Sequence, residues 1–144
     1  MTDVFTREKR SEIMSKIRSK GTGPELRVAL ALRRAGVHFR RHDARLPGTP
    51  DFVVTALNVA IFVNGCFWHS HGACGASARF SKGLGRRAKY WREKIAANRR
   101  RDRRARRALN KTGWRAMTIW ECRTRWREQL DRELRRALLS RPAR

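Results

Sequence analysis

Acidic residues are scarce in this sequence. Its 144 residues hold 12 Asp and Glu against 36 Lys and Arg, a formal charge of +24. The stretch Val59–Val63 is as long as its apolar runs get, far short of the ~20 residues of a membrane helix. The Thr/Asp/Arg-rich start does not read as a secretory leader. Three cysteines, an odd number, argue against a disulfide framework. These absences point to a soluble cytoplasmic protein that spans no membrane. What is present, 40% hydrophobic and 33% charged residues, suits a folded chain rather than wholesale disorder. The length suits one compact domain over residues 1–144, with a frayed tail at 141–144.

Arg greatly outnumbers Lys, which points to a phosphate backbone as partner, because guanidinium grips phosphate in a bidentate fork. The excess is uneven. Residues 1–50 carry 12 basic and 5 acidic side chains, residues 81–144 carry 23 and 6, and residues 51–80 carry one of each. A high-GC genome would put Arg in place of Lys, but it would not leave a neutral middle. The neutral segment reads as a core bearing a site, flanked by basic arms.

Periodicity supplies the elements. Residues 6–20 form a short basic amphipathic helix carrying Ile13, Met14 and Ile17. Thr22-Gly23-Pro24-Glu25 is a capping box with Pro at the helix start, opening a helix with Leu26, Leu30 and Leu32 that runs to Gly36. Val37–Arg41 reads as an edge strand, and Pro47-Gly48-Thr49-Pro50 as a turn. The runs Asp51–Thr55 and Val59–Val63, joined by three residues, predict a hairpin of central strands. Asn64 to about Arg86 is a long loop. Residues 89–110 are helical, Trp114–Trp120 is a strand and 124–139 is a terminal helix. The order predicts an α/β fold of α+β type, a mixed sheet with helices on both faces.

Within the loop, Cys66-x4-His71-x2-Cys74, together with Cys122 after the last strand, supplies three sulfurs and one nitrogen. That is the ligand set of a closed structural Zn²⁺ site; buried free thiols are the alternative. His69 could replace His71 as ligand, or serve as general acid or base. Asp51 stands at the mouth of a central strand, where a Mg²⁺ ligand for phosphodiester chemistry would sit. A turn aspartate is its plainer role.

On a helical wheel, Trp91, Ile95, Asn98, Asp102, Ala105 and Leu109 share one stripe, with arginines on the remainder. Asp102 therefore faces inward and needs a partner, either an ion pair or a function. Glu25 is explained equally well as the acceptor end of the capping box. Phe67 and Trp68 suit insertion between bases, where unstacking is easiest at a mismatch; packing over the thiol cluster is the alternative. Trp91 could serve either purpose. Trp114, Trp120 and Trp126 read as structural.

Four blocks carry a resemblance. They are Leu46-Pro-Gly-Thr-Pro-Asp51-Phe-Val-Val54; Ile61-Phe-Val-Asn-Gly-Cys66-Phe-Trp-His69-Ser-His71; Trp91-Arg-Glu-Lys-Ile95 with Asn98 and Arg101-Asp102-Arg-Arg104; and Gly113-Trp114 through Ile119-Trp-Glu-Cys122. In this order, from about Thr6 to Arg125, the chain resembles the very short patch repair (Vsr) endonucleases. The resemblance implies a PD-(D/E)XK, restriction-endonuclease-like fold. It implies nicking of one strand of double-stranded DNA, 5′ of the thymine in a T:G mismatch left by deamination of 5-methylcytosine. The enzyme would act in the bacterial cytoplasm at the nucleoid, linked to a cytosine-5 DNA methyltransferase and to mismatch-repair proteins. A monomer is expected, because no apolar stripe is spare.

By the same resemblance, Asp51 holds catalytic Mg²⁺ together with the backbone carbonyl of Val63. His69 acts as general base, and Asp102 and Glu25 hold waters or His69. Cys66, His71, Cys74 and Cys122 match structural Zn²⁺ ligands. Phe67, Trp68 and Trp91 match an aromatic wedge, Met14 matches a minor-groove probe, and Asn98 joins the DNA-contacting set.

The chain departs from the family pattern in places. Phe62-Val63-Asn64-Gly65 lacks the nuclease superfamily's acid and lysine, an absence that Vsr-type enzymes share. Asn64 stands where histidine is common. His71-x2-Cys74 is one residue longer than usual, and Gly75–Lys89 differs most. Two other functions fit the basic charge and the zinc: a nuclease of this fold with relaxed or different specificity, and a non-catalytic zinc-containing nucleic-acid-binding module.

Overall fold

The structure, a computed structural model, describes residues 22–66, 71 and 87–140. The expected helix over 6–20 with Met14, the residues Phe67, Trp68, His69 and Cys74, most of the 75–89 linker and the 141–144 tail lie outside the described residues.

Helix α1 spans Gly23–Arg34, with Thr22 as N-cap accepting from the Glu25 amide at 3.4 Å and Pro24 in the first turn. It stops before Gly36, whose φ of +70° is open to glycine at little cost. Its inward face is Glu25, Val28, Ala29 and Leu32, a helical period that turns Leu26 and Leu30 to solvent, each about half exposed.

Among the described residues, four strands form one sheet in the order β1 (Arg40–Arg41), β2 (Phe52–Val54), β3 (Val59–Asn64) and β4 (Arg115–Trp120). β1 pairs with β2 and β2 with β3, both antiparallel, while β3 and β4 are parallel. The expected hairpin is β2–β3, joined by a 3-10 turn over Thr55–Leu57 and Asn58 in the left-handed region. The parallel pair requires a crossover, which contains helix α2 (Ala88–Lys111).

Strand alternation assigns the faces. Phe52, Val54, Val59, Ile61 and Ile119 join Val28 and Leu32 of α1 in one core with Leu130, Leu134 and Leu138 of helix α3 (Arg127–Leu139). Val53 and Ala60, also buried, point to the opposite face. There α2 lies, with Leu109 fully buried and Arg106 donating to Thr118 Oγ1 at 2.6 Å. The result is a mixed α+β fold with helices on both faces. α3 starts later than the sequence pattern suggests, because Glu121–Thr124 first make a 3-10 turn. Trp126 is a correction: expected to be structural, it caps α3 and is 70% exposed.

Candidate active site and metal centre

Asp51 directly precedes β2, at the open end of the hairpin. Its Oδ2 accepts the Val63 amide at 2.7 Å, so β3 orients the carboxylate. The His42 amide donates to the Asp51 carbonyl at 3.1 Å, continuing the β1–β2 ladder and bringing the His42 side chain alongside. Glu25 enters from the first turn of α1. At 3% exposure its carboxylate needs compensation, and its Oε2 meets His42 Nε2 at 3.3 Å and an Arg41 nitrogen at 3.4 Å. Arg41 also lies over the Phe52 ring at 5.3 Å. His42 Nδ1 faces Asp51 Oδ1 at 3.8 Å. One donor atom from each of Glu25, His42 and Asp51 lies within 4.8 Å of the others.

The turn leading into Asp51 is clamped from both ends. Asp43 accepts the Arg45 amide at 3.1 Å and the two arms of its guanidinium at 2.9 and 3.0 Å, and it pairs with Arg40 at 3.1 Å. The Arg45 fork holds the Asp43 pKa down at about 2. Further along, Gly48 sits at φ +77°, and a Cβ there would lie 2.6 Å from the Ala105 Cβ and 3.2 Å from the Phe62 ring. The Pro-Gly-Thr-Pro turn therefore docks directly on α2.

That docking orients the α2 stripe. Trp91, Ile95, Asn98, Asp102, Ala105 and Leu109 are all at least partly buried, and the arginines at 99, 100, 101, 103, 104, 106 and 107 are exposed, as the helical wheel requires. Asn98 accepts from Arg101. Asp102 lies on this stripe one turn before the Gly48 contact, but it is not among the three donors gathered around Asp51. On the outward side Arg100, Arg103, Arg104, Arg107 and Lys111 line a groove with Ala108, a positive surface suited to phosphates.

The second cluster joins Cys66, His71 and Cys122. Cys122 Sγ lies 3.5 Å from His71 Nδ1, and the Cys122 amide donates to Cys66 Sγ at 3.4 Å. The His71 amide donates to the Cys66 carbonyl at 2.8 Å, and its ring stacks on Trp120 at 4.3 Å, 8° from parallel. Burial and nearby Arg123 push the His71 pKa down, which favours the neutral imidazole a metal requires.

Asp51 and Glu25 are thus brought together, as are Cys66, His71 and Cys122. Sequence reasoning missed His42. It sits among charged residues beside a two-residue edge strand, and no periodicity or motif marks it; its one signal is an imidazole nine residues before Asp51 in an otherwise Arg-rich stretch.

Two carboxylates and an imidazole gathered at the open end of the hairpin, on a strongly basic chain, make a site suited to chemistry on a phosphate backbone. Residues 2–75 match the family model described as DNA mismatch endonuclease Vsr. The chain is 42% identical over 133 residues to the DNA mismatch endonuclease Vsr of Escherichia coli strain K12, covering 92% of this chain and 82% of that protein. It is 41% identical over 138 residues to the type II nicking enzyme V.XorIIP of Xanthomonas oryzae pv. oryzae, covering 96% and 98%. Among solved structures it resembles the catalytic domain of the homing endonuclease I-Bth0305I in fold, with a TM-score of 0.53 and 19% identity over 83% of this chain and 100% of that one. The chain belongs to the DNA mismatch endonuclease Vsr family.

Proposed function

We propose that this protein nicks one strand of double-stranded DNA 5′ of the thymine in T:G mismatches left by 5-methylcytosine deamination, and so starts very short patch repair. The observation that carries this reading is the meeting of Asp51 and Glu25 at the hairpin mouth in a chain of this family. The enzyme acts as a monomer in the bacterial cytoplasm, on the nucleoid, alongside a cytosine-5 DNA methyltransferase and mismatch-repair proteins.

The donor chemistry fits two different ions. Carboxylate oxygens at the hairpin mouth suit a hard divalent cation, and clustered thiols with an imidazole suit Zn²⁺. Asp51 would hold Mg²⁺ with the Val63 carbonyl. Support comes from the Val63 amide, which already points at Asp51; a strand residue sends its N–H and C=O to the same edge. Bound there, Mg²⁺ would neutralise charge building on the attacked phosphate and on the leaving oxygen.

The chain's own groups do the rest. His69 takes the proton of the attacking water, and Glu25 and Asp102 order waters or His69. Phe67, Trp68 and Trp91 wedge beside the mismatch, where a wobble pair is cheapest to unstack. Met14 probes the minor groove and Asn98 contacts DNA. The α2 arginines position the duplex through phosphates without reading sequence. Cys66, His71, Cys74 and Cys122 hold Zn²⁺ in a closed site that does no chemistry.

A second reading, the same nuclease with another specificity, is favoured by relatives described as type II nicking enzymes. The test is purified protein on end-labelled duplexes carrying T:G, C:G or T:A at one position, with and without Mg²⁺. The expected result is a Mg²⁺-dependent nick on the T strand of T:G alone, lost in Asp51→Asn while DNA binding persists. Equal cutting of matched duplex would move the assignment to the second reading. Tight binding without cutting would leave a binding module.

A further inference from the structure

We propose that Trp126, with Arg123 and Arg125 beside it, forms a separate contact with the backbone of the substrate duplex: the indole lies against a deoxyribose and the guanidiniums meet neighbouring phosphates. This rests on the reading of the chain as a nuclease of double-stranded DNA. Two ordinary reasons for a tryptophan are missing at this position. The side chain is 70% exposed, so it adds little to the core, although an indole is among the largest apolar groups a fold can bury. It stands at the N-cap of α3 without a side-chain capping bond, where Ser, Thr, Asp or Asn would satisfy a helix amide.

The topology puts this residue on the side of the molecule that carries Asp51. The Val63 amide holds the Asp51 carboxylate, and Val63 pairs with Ile119 in the parallel β3–β4 ladder. β4 therefore ends on the same side as the hairpin mouth. The chain leaves it there, turns through Glu121–Thr124 and arrives at Trp126. α1 fixes the turn from its other flank: Arg27, two residues past Glu25, donates to the buried Thr124 Oγ1 at 3.1 Å. Trp126 is thus tied, through Thr124 and Arg27, to the first turns of α1 that deliver Glu25. One turn of duplex extends about 34 Å, enough to reach from the hairpin mouth to a residue held so near it.

The charge fits a sugar–phosphate backbone. Arg123, Arg125 and Arg127 are exposed around the indole, and the acids of this segment, Glu121 and Glu128, stand at its two ends. Arg127 leans toward Asp131 at 3.9 Å. Arg123 and Arg125 make no ion pair among the described residues, and guanidinium suits phosphate. An apolar ring with cations beside it offers one surface to a sugar and others to the phosphates flanking it. Such a contact adds affinity and fixes register without reading a base.

The test measures binding of the purified full-length protein to fluorescent duplexes carrying T:G or C:G, without Mg²⁺. Trp126→Ala should weaken both by a similar factor, about fivefold or more, and keep the wild-type melting temperature because the side chain is exposed. Arg123→Gln and Arg125→Gln should each lower the salt slope of binding by about one, whereas Trp126→Ala, which removes no charge, should leave that slope as it is. In hydroxyl-radical footprinting, one or two sugars outside the mismatch should lose protection in Trp126→Ala. Affinity within about twofold of wild type with an unchanged footprint would overturn the contact, and so would a dimer in sedimentation that Trp126→Ala dissolves. A loss confined to T:G would overturn its assignment to the backbone. Wild-type protein that nicks no duplex when Mg²⁺ is added, while Trp126→Ala still weakens binding, would overturn the nuclease reading and leave this contact standing.

Discussion

Asp43 shows how much the position of Asp51, the proposed cation ligand, owes to a neighbour with no chemistry of its own. Its carboxylate ties the Arg45 amide and guanidinium into the turn that delivers Asp51. With a folded pKa near 2 against an ordinary 3.8, Asp43 binds its proton more readily in the unfolded chain. Its contribution is therefore full above about pH 4 and disappears as the pH falls toward 2. Asp43→Asn is expected to lower the urea midpoint at pH 7, and the gap to wild type should close between pH 4 and pH 2. A gap that persists at pH 2 would mean Asp43 acts through shape rather than charge. At this scale the sequence was legible where a residue type had a place in a pattern. Asp51 followed a Pro turn into a strand, and Glu25 ended a capping box. His42 had no such frame, since its contacts depend on α1 and β2 meeting, which local pattern does not encode; Asp43 is held locally by Arg40 and Arg45, in an Arg-rich stretch where no motif sets that pairing apart.

Elements were legible where apolar periodicity was strong. The hairpin and the α2 stripe come from alternation and from a 3.6-residue period that burial enforces. The start of α3 was not, because the 3-10 turn at Glu121–Thr124 and the exposed Trp126 precede the helix and follow no apolar period. The Pro-Gly-Thr-Pro turn was visible as a turn; its docking on Ala105 was not. Gly48→Ala would meet both a left-handed backbone and a Cβ contact at 2.6 Å. It should destabilise the protein by about 2 kcal/mol or more in urea denaturation. Adding Ala105→Gly should restore the packing part and leave the backbone part, giving a double-mutant coupling. No coupling would separate the turn from α2.

For the whole molecule, the parallel pairing of β3 with β4 explains why residues so distant in sequence share a cluster. Asn64 pairs with Trp120, so Cys66 and Cys122 each lie two residues past that pair, at the same end of adjacent strands. The residue types of this cluster were readable from sequence as candidate ligands, and the parallel pairing that gathers them was not. If zinc holds this end, Cys122→Ser should lower zinc content below one equivalent by elemental analysis. It should also reduce the melting temperature by about 10 °C or more, because a structural zinc contributes several kcal/mol to folding. A zinc-replete Cys122→Ser protein with wild-type melting would break the assignment.

That pairing also sets an order of assembly. Glu25, His42, Asp51 and Val63 are all present before the chain reaches Arg115, whereas Cys66 must wait for a partner 56 residues on. Until then Val59–Asn64 is an open sheet edge, the surface by which unfinished chains add to one another. The first 114 residues already carry 27 Lys and Arg against 8 Asp and Glu, so neighbouring copies repel while that edge waits. The same arginines that suit the protein to a polyanion thus give its half-made form a colloidal defence against its own kind.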